Sequence, residues 1–120
     1  MSLNNDFIKY LKDKNFNEAA NVVEDYSKKL VNKGQNISTS SLNKLYECVS
    51  KAEKATKIEK VFLKSEILSL KLGLTNEELS NVIADLIMEC DEREIQNLSL
   101  LMKTLLNFYR FYSGGEKNEL

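Results

Sequence analysis

The sequence predicts an all-α protein, a compact bundle of about five to six helices in a single domain over residues 1–120. Apolar residues recur at three- and four-residue spacing along almost the whole chain, the period of a helix with one buried face. No stretch alternates polar and apolar residues as a half-buried strand does. With 42% hydrophobic and 29% charged residues, the chain also has the composition of an ordinary globular domain.

Six predicted helices follow one another, joined by short turns. They span about residues 4–13, 17–33, 39–54, 57–72, 75 onward and 91–114. Gly34 follows the second helix, at the position where a left-handed C-cap residue is favoured. The hydroxyl groups of Ser38, Thr39 and Ser40 are N-cap candidates for the third helix.

Boundary signals continue in the second half of the chain. Gly73 ends the fourth predicted helix. Thr75 opens the fifth with Glu78 three residues later, and Asp91 opens the sixth with Glu94, so each pair is a predicted capping box. Because there is no internal repeat and no linker, a compact bundle is favoured over an extended helical rod.

Lysine is concentrated in the middle third of the chain. The net charge is −1, but residues 28–71 hold ten Lys and four Glu, which gives +6. Residues 1–27 sum to −2 and residues 72–120 to −5. The sequence therefore places a basic block between two acidic ends.

The lysines of the fourth predicted helix form a stripe. Its members are Lys57, Lys60, Lys64 and Lys71, which fall within about 60° of arc when each residue turns the helix by about 100°. Apolar residues such as Val61 and Leu63 line both edges of the stripe, so we expect most of this helix to be buried. In the third predicted helix three more lysines gather on the side away from the apolar residues: Lys44, Lys51 and Lys54.

Two interpretations of these lysines stay open on the residues alone. Lysines on a helix are most often its solvated face. Alternatively, several mobile ammonium groups on adjacent helices can hold a nucleic acid strand by its phosphates without reading its bases.

Several chemistries lack support in the sequence. There is no histidine, the commonest general base and zinc ligand, and the four glycines form no phosphate-binding loop. Asp85 and Glu89, four residues apart, suggest a magnesium site only weakly. Capping and the helix dipole account for the other acidic residues nearby, Glu77, Glu78, Asp91, Glu92 and Glu94. We therefore expect no enzyme, no metal and no cofactor, and we read Cys48 and Cys90 as small buried side chains.

The first residues carry charges where a signal peptide needs an unbroken apolar run, as at Asp6, Lys9 and Lys12. We therefore expect a cytoplasmic protein. No segment has the length and apolar character of a membrane span, so we expect no membrane partner.

The sixth predicted helix ends in the segment "LLNFYRFYSGG", with four aromatic side chains. Phe108, Tyr109 and Tyr112 share one wide apolar arc and are core candidates. Leu100 and Phe111 lie off that arc, on nearly the same bearing, and suggest a second contact. A docking surface for another protein is the stronger alternative to packing, and a base-stacking platform is the weaker one.

Two segments together resemble a known family. The stretch "ISTSSLNKLYECVSKA" (37–52) resembles its helix opening "LTTSxIRxLL", and "IQNLSLLMKTLLNFYRFYSGG" (95–115) resembles its ending "YMEALVAYFKFYGG". With "KVFLKSEILSLKLGL" between them, the likeness covers about residues 37–115. The family is the small subunit of type III-A CRISPR effector complexes, the Csm complexes.

The resemblance implies a non-catalytic helical subunit in antiviral defence. It implies several self-stacking copies along the duplex of guide RNA and target RNA, with contacts to the target strand. The implied protein partners are the backbone subunits and the large polymerase-like subunit of the complex. Base pairing with the guide would carry the sequence information in such a complex, so no base-reading code is expected.

The family motifs map onto individual residues here. The hydroxyl pair falls on Thr39 and Ser40, and the aliphatic position on Leu42. The terminal run falls on Phe108, Tyr109, Arg110, Phe111, Tyr112 and Gly114. The arginine of the "IR" dipeptide is replaced by Asn43, which leaves Lys44 as the neighbouring basic candidate.

From charge and resemblance together we predict two surfaces. The predicted nucleic-acid-binding residues are Asn43, Lys44, Lys51, Lys54, Lys57, Lys60, Lys64 and Arg110, and the predicted subunit contacts are Leu100 and Phe111. A helical protein-interaction adaptor without nucleic-acid binding is the alternative function. Binding to RNA that weakens steeply with salt would distinguish the first function from the second.

Overall fold

Five α-helices make up the bundle in a computed structural model, which describes Tyr10 and residues 15–32, 37–72 and 78–114. In chain order they are α1 (Phe16–Asn32), α2 (Thr39–Ala52), α3 (Lys57–Leu70), α4 (Glu78–Glu89) and α5 (Glu92–Ser113). None of the described residues is in a strand. The all-α prediction is confirmed.

One hydrophobic core joins all five helices. α5 packs against α1 and α2, and α3 packs against α4 and α2. The largest fully buried side chains come from every helix: Leu30, Leu42, Leu45, Ile67, Leu79, Ile83, Leu86, Ile87, Ile95 and Leu98. The principal extents of 40 × 27 × 24 Å exclude the rod, since α5 alone is about 33 Å long.

The predicted caps of α2 and α5 are confirmed. The backbone N–H of Ser41 donates to Oγ of Ser38 at 3.0 Å, so Ser38 caps α2. Asp91 and Glu94 cap α5 reciprocally, with hydrogen bonds of 2.8 and 2.9 Å between each side chain and the other residue's N–H. Gly114 ends α5 at φ 67°, the left-handed conformation that glycine adopts without a Cβ clash.

α2 and α3 are both shorter than predicted. α2 ends at Ala52 and not at residue 54, because Thr56 and Glu59 form a capping box that begins α3. α3 ends at Leu70, and Lys71 turns the chain with φ 53°. After this turn, the buried backbone N–H of Leu72 donates to Oγ of Ser80 on α4 at 2.7 Å.

Three predictions lie outside the described residues. They are the helix over residues 4–13, of which only Tyr10 is described, the C-cap at Gly34, and the capping box of Thr75 with Glu78. The second predicted helix corresponds to α1, and the fifth corresponds to α4 from Glu78 onward.

Candidate functional site

α3 is much more exposed than the sequence led us to expect. Only Leu63 and Ile67 of this helix are buried, so the prediction that most of it is buried is wrong. α3 lies at the edge of the bundle, where it packs on α4 and α2. No described residue covers its outer side, and Val61, an expected core residue, keeps 52% of its surface exposed.

The outer side of α3 is an apolar surface, which we call the α3 apolar face. Its members are Ile58, Val61, Phe62, Ser65, Leu68 and Ser69, which span about 120° of arc without a charged residue. Ile58 is 78% exposed and Phe62 is 64% exposed. The sequence analysis did not identify Ile58 and Phe62 as an exposed apolar pair. Their spacing of four residues, on the side of the helix opposite the lysine stripe, was a pattern that could have indicated it.

A groove of about 580 Å³ separates α3 from the end of α2. Its apolar lining includes Ala55, Ile58, Phe62 and Leu63. A groove of this size, open to solvent and lined by aliphatic and aromatic side chains, fits apolar side chains of another molecule.

The walls of the groove carry opposite charges. Lys51 and Lys54 stand on the α2 side, and Glu59 and Glu66 stand on the α3 side. The two glutamates are an unfavourable setting for phosphates. The groove is therefore better suited to a protein surface of mixed charge than to the backbone of a nucleic acid.

Lys44 and Lys51 are exposed on α2, but acidic residues accompany them. Glu47 lies between them on the same side of the helix, three residues from one and four from the other. A second, smaller groove of about 250 Å³ brings both lysines together with Glu47 and Glu66. Asn43 is half-buried, and its side-chain amide donates to Glu47 Oε2 at 3.1 Å.

The remaining lysines of the predicted track turn toward α4 and the start of α5. Lys54 Nζ lies 3.2 Å from Glu92 Oε2, and both side chains are more than half exposed.

Two α3 lysines make similar contacts. Lys64 Nζ lies 3.8 Å from Asp85 Oδ1, and Lys60 Nζ donates to the backbone carbonyl of Cys90 at 3.4 Å. Exposed pairs of this kind contribute about 0–1 kcal/mol, so phosphates can compete for these lysines. Lys57 is exposed at the start of α3.

The structure therefore divides the predicted lysine track into two groups. Lys51 and Lys54 border the groove between α2 and α3, whereas Lys60 and Lys64 contact the α4 side of α3. Acidic side chains stand beside both groups. RNA binding by these lysines stays a prediction.

The outer face of α5 has a different character. Exposed cations are Arg93, Lys103 and Arg110, and no acidic residue occurs from residue 95 to residue 113. Lys103 Nζ lies 5.2 Å from the centre of the Tyr46 ring on α2, a cation–π contact. Of these cations the sequence analysis selected only Arg110. Lys103 is isolated among uncharged neighbours, whereas Arg93 lies between Glu92 and Glu94.

Leu100 and Phe111 are exposed on the same outer face of α5. Leu100 is 66% exposed and Phe111 is 68% exposed, so neither belongs to the core. The Phe111 ring packs edge-on against Tyr112 with ring centres 5.1 Å apart. Of the three aromatic core candidates, Tyr109 is buried, and Phe108 and Tyr112 are half-buried.

The titratable groups with a shifted pKa in the described ranges are a cysteine, a glutamate and two tyrosines. Burial raises the pKa of the Cys48 thiol, and nearby Glu66 raises it further, so the thiol stays protonated and is a poor nucleophile. The Tyr112 hydroxyl donates to Glu24 on α1, and this hydrogen bond, with burial, raises the Tyr112 pKa. Among the described residues no three acidic or cysteine side chains come together as a metal site requires.

No family model, curated protein or solved structure matches this chain. In the described ranges, no helix combines the length and the apolar character needed to cross a membrane.

Proposed function

We propose that this chain is a non-catalytic small subunit of a type III-A CRISPR (Csm) interference complex. In this function it stacks in several copies along the duplex of guide RNA and target RNA, in the cytoplasm. It contacts the target strand without sequence specificity. The proposal rests first on the resemblance of residues 37–52 and 95–115 to that family.

The observation that supports RNA contact best is the outer face of α5. Two of its exposed cations, Lys103 and Arg110, lie in the stretch from residue 95 to residue 113, which contains no acidic residue. Guanidinium and ammonium groups on such a face neutralise phosphates and release counterions, which favours binding of any sequence. Arg110 belongs to the predicted set, and Lys103 extends it, while Arg93 stands between Glu92 and Glu94.

The predicted lysines add a second, weaker contribution. All six reach solvent at least in part, and their contacts with Glu92, Asp85 and the Cys90 carbonyl are near the surface. In a complex these side chains can exchange such contacts for phosphate oxygens. Leu100 and Phe111 then contact a neighbouring protein subunit, because an aromatic and an aliphatic side chain this exposed favour burial in an assembly.

A second candidate function is a helical protein-interaction adaptor that binds no nucleic acid. The groove of mixed charge between α2 and α3 favours it, since apolar lining with both charge signs is typical of protein contacts. Its binding should depend little on ionic strength.

The most informative experiment is co-purification of the chain from its native host, followed by sequencing of the bound RNA. The proposed function predicts guide RNAs of common repeat sequence together with the other complex subunits. Proteins without RNA would instead support the adaptor.

Two variants refine this experiment. Phe111→Ser should weaken incorporation into the complex with an unchanged melting temperature, because the side chain is exposed. Lys29→Ser on α1 is a matched surface control, which should incorporate like the parent chain.

A further inference from the structure

The α3 apolar face is too large to be incidental. Ile58, Val61, Phe62 and Leu68 keep between 37% and 78% of their surface exposed. At these fractions they present roughly 400 Å² of apolar area, comparable with the largest patch on a typical monomer, which is often functional. We therefore expect another molecule to cover this face.

The polar atoms within this face need no partner from outside. Oγ of Ser65 donates to the Phe62 carbonyl at 2.7 Å, and Oγ of Ser69 donates to the Glu66 carbonyl at 2.6 Å. Covering the two hydroxyl groups therefore leaves no donor unsatisfied. Because serine is small, a second helix can also approach closely where Ser65 and Ser69 lie on α3.

The spacing of the face fits another helix. Ile58, Val61, Ser65 and Leu68 follow one another at intervals of three, four and three residues. This is the repeat of positions a and d of a coiled coil, which keeps one seam facing a partner helix over three turns.

The edges of the face carry opposite charges. Lys57 and Lys64 lie along one edge, and Glu59 and Glu66 lie along the other. A two-fold axis parallel to α3 places the lysine edge of each copy beside the glutamate edge of the other. An axis perpendicular to α3 would instead bring like edges together, which is unfavourable.

We propose that two copies of this chain form a symmetric dimer through the α3 apolar face, with their α3 helices parallel. The pairing buries the α3 apolar face of both copies, which is roughly 800 Å² of apolar area in total. With the charged edges included, the total buried area reaches about 1,200 Å², the lower end of the range for standard interfaces. A dimer with a dissociation constant of micromolar order is expected. The dimer engages Lys57 and Lys64 of the predicted RNA-binding set at its edges, and it leaves the outer face of α5, the best-supported RNA contact, accessible.

Sedimentation equilibrium over a concentration series tests the dimer with a matched pair of variants. Phe62 and Phe111 are exposed to nearly the same extent, at 64% and 68%, on different helices. Phe62→Ser should weaken self-association at least tenfold, whereas Phe111→Ser should leave it unchanged. Melting temperatures of both variants show that the fold is retained.

Two outcomes would overturn the proposal. The parent chain could remain monomeric at about 100 μM, well above the expected dissociation constant. Alternatively, Phe111→Ser could weaken the association while Phe62→Ser does not, which would move the contact to α5.

Cysteine cross-linking tests the orientation. In a parallel two-fold pair each seam residue faces its own copy, so Ser65→Cys and Leu68→Cys, at an a and a d position, should each give disulfide-linked dimers. An antiparallel pair could cross-link at only one of the two positions, and that result would refute the parallel arrangement. Ser40→Cys, exposed on α2, is the control that should not cross-link, and the native Cys48 and Cys90 are buried.

Discussion

α5 and α3 differ in how much of each helix the rest of the protein covers. α5 has 22 residues and buries eight of them, including Ile95 and Leu98, against α1 and α2. α3 has 14 residues and buries only Leu63 and Ile67. The comparison indicates that α5 holds the bundle together, while most of α3 is left exposed by the described residues.

The largest expected effect is the difference in unfolding free energy between a core substitution and a surface substitution in α5. Leu98 is fully buried and Leu100 is 66% exposed, two residues apart on the same helix. Leu98→Ala should lower the free energy of unfolding by about 2–5 kcal/mol, because it leaves a cavity. Leu100→Ala should change it by less than about 0.5 kcal/mol. Denaturant titration of both variants checks the pair, and similar losses would contradict the described packing of α5.

The next effect concerns the lysines of α3. Charge reversal of Lys57, Lys60 and Lys64 together places three carboxylates where phosphates are proposed to bind. RNA affinity should decrease at least tenfold, while circular dichroism shows a still-helical protein. Reversal of Lys28 and Lys29, which are exposed on α1 and away from the stripe, is a control that also lowers the net charge. Equal losses in the two variants would indicate that only net charge matters.

A smaller effect tests how α3 begins. Thr56 accepts a hydrogen bond from the backbone N–H of Glu59 at 3.3 Å, and Thr56→Ala removes it. The loss should be about 1 kcal/mol of unfolding free energy, the usual value for an N-cap. Thr56→Ser keeps the acceptor and should be nearly neutral in the same denaturant titration.

The capping box also gives α3 a dependence on pH. The Glu59 carboxylate accepts a hydrogen bond from the backbone N–H of Thr56 at 2.8 Å, and this bond is the main cause of a lowered Glu59 pKa. A lowered folded-state pKa contributes stability above the unfolded pKa, which is lost as the pH falls through the folded value. Glu59→Gln should therefore lose less stability than the parent chain between pH 7 and pH 3. An equal loss would show that Glu59 does not titrate in this way.

The smallest expected effect on the unfolding free energy comes from Lys71, at the C-terminal end of α3. Lys71 adopts the left-handed conformation, with φ 53° and ψ 48°, where a Cβ atom is unfavourable. Lys71→Gly should raise the unfolding free energy by about 0.5 kcal/mol, the relief of strain being partly offset by a more flexible unfolded chain. Lys71→Ala keeps the Cβ atom and should give no gain.

The sequence predicted α5 better than α3 for a physical reason. The caps at Asp91 and Gly114 are local signals, and the off-core position of Phe111 follows from the helical repeat alone. Whether another helix covers Val61 or Phe62 depends on tertiary packing, and periodicity does not reveal it. The hydrogen bond from Leu72 to Ser80, just beyond the end of α3, likewise forms only when α3 and α4 pack.

The candidate site was predictable to the same limited degree. Lysine positions on α2 and α3 follow from the sequence, and all are at least partly exposed. Their partners do not follow from it, since Lys54 contacts Glu92, 38 residues away. The acidic walls of the groove between α2 and α3 also arise only when the two helices pack.

The central proposal, RNA contact through cations without base reading, is tested most directly by a salt titration. Affinity for an unstructured RNA is measured against salt concentration, with two RNAs of unrelated sequence. The predicted result is equal affinity for both, with a logarithmic slope of about −0.7 for each phosphate contact of a single strand. Binding that is insensitive to salt, or no binding at about 50 mM salt, would contradict RNA contact and favour the adaptor.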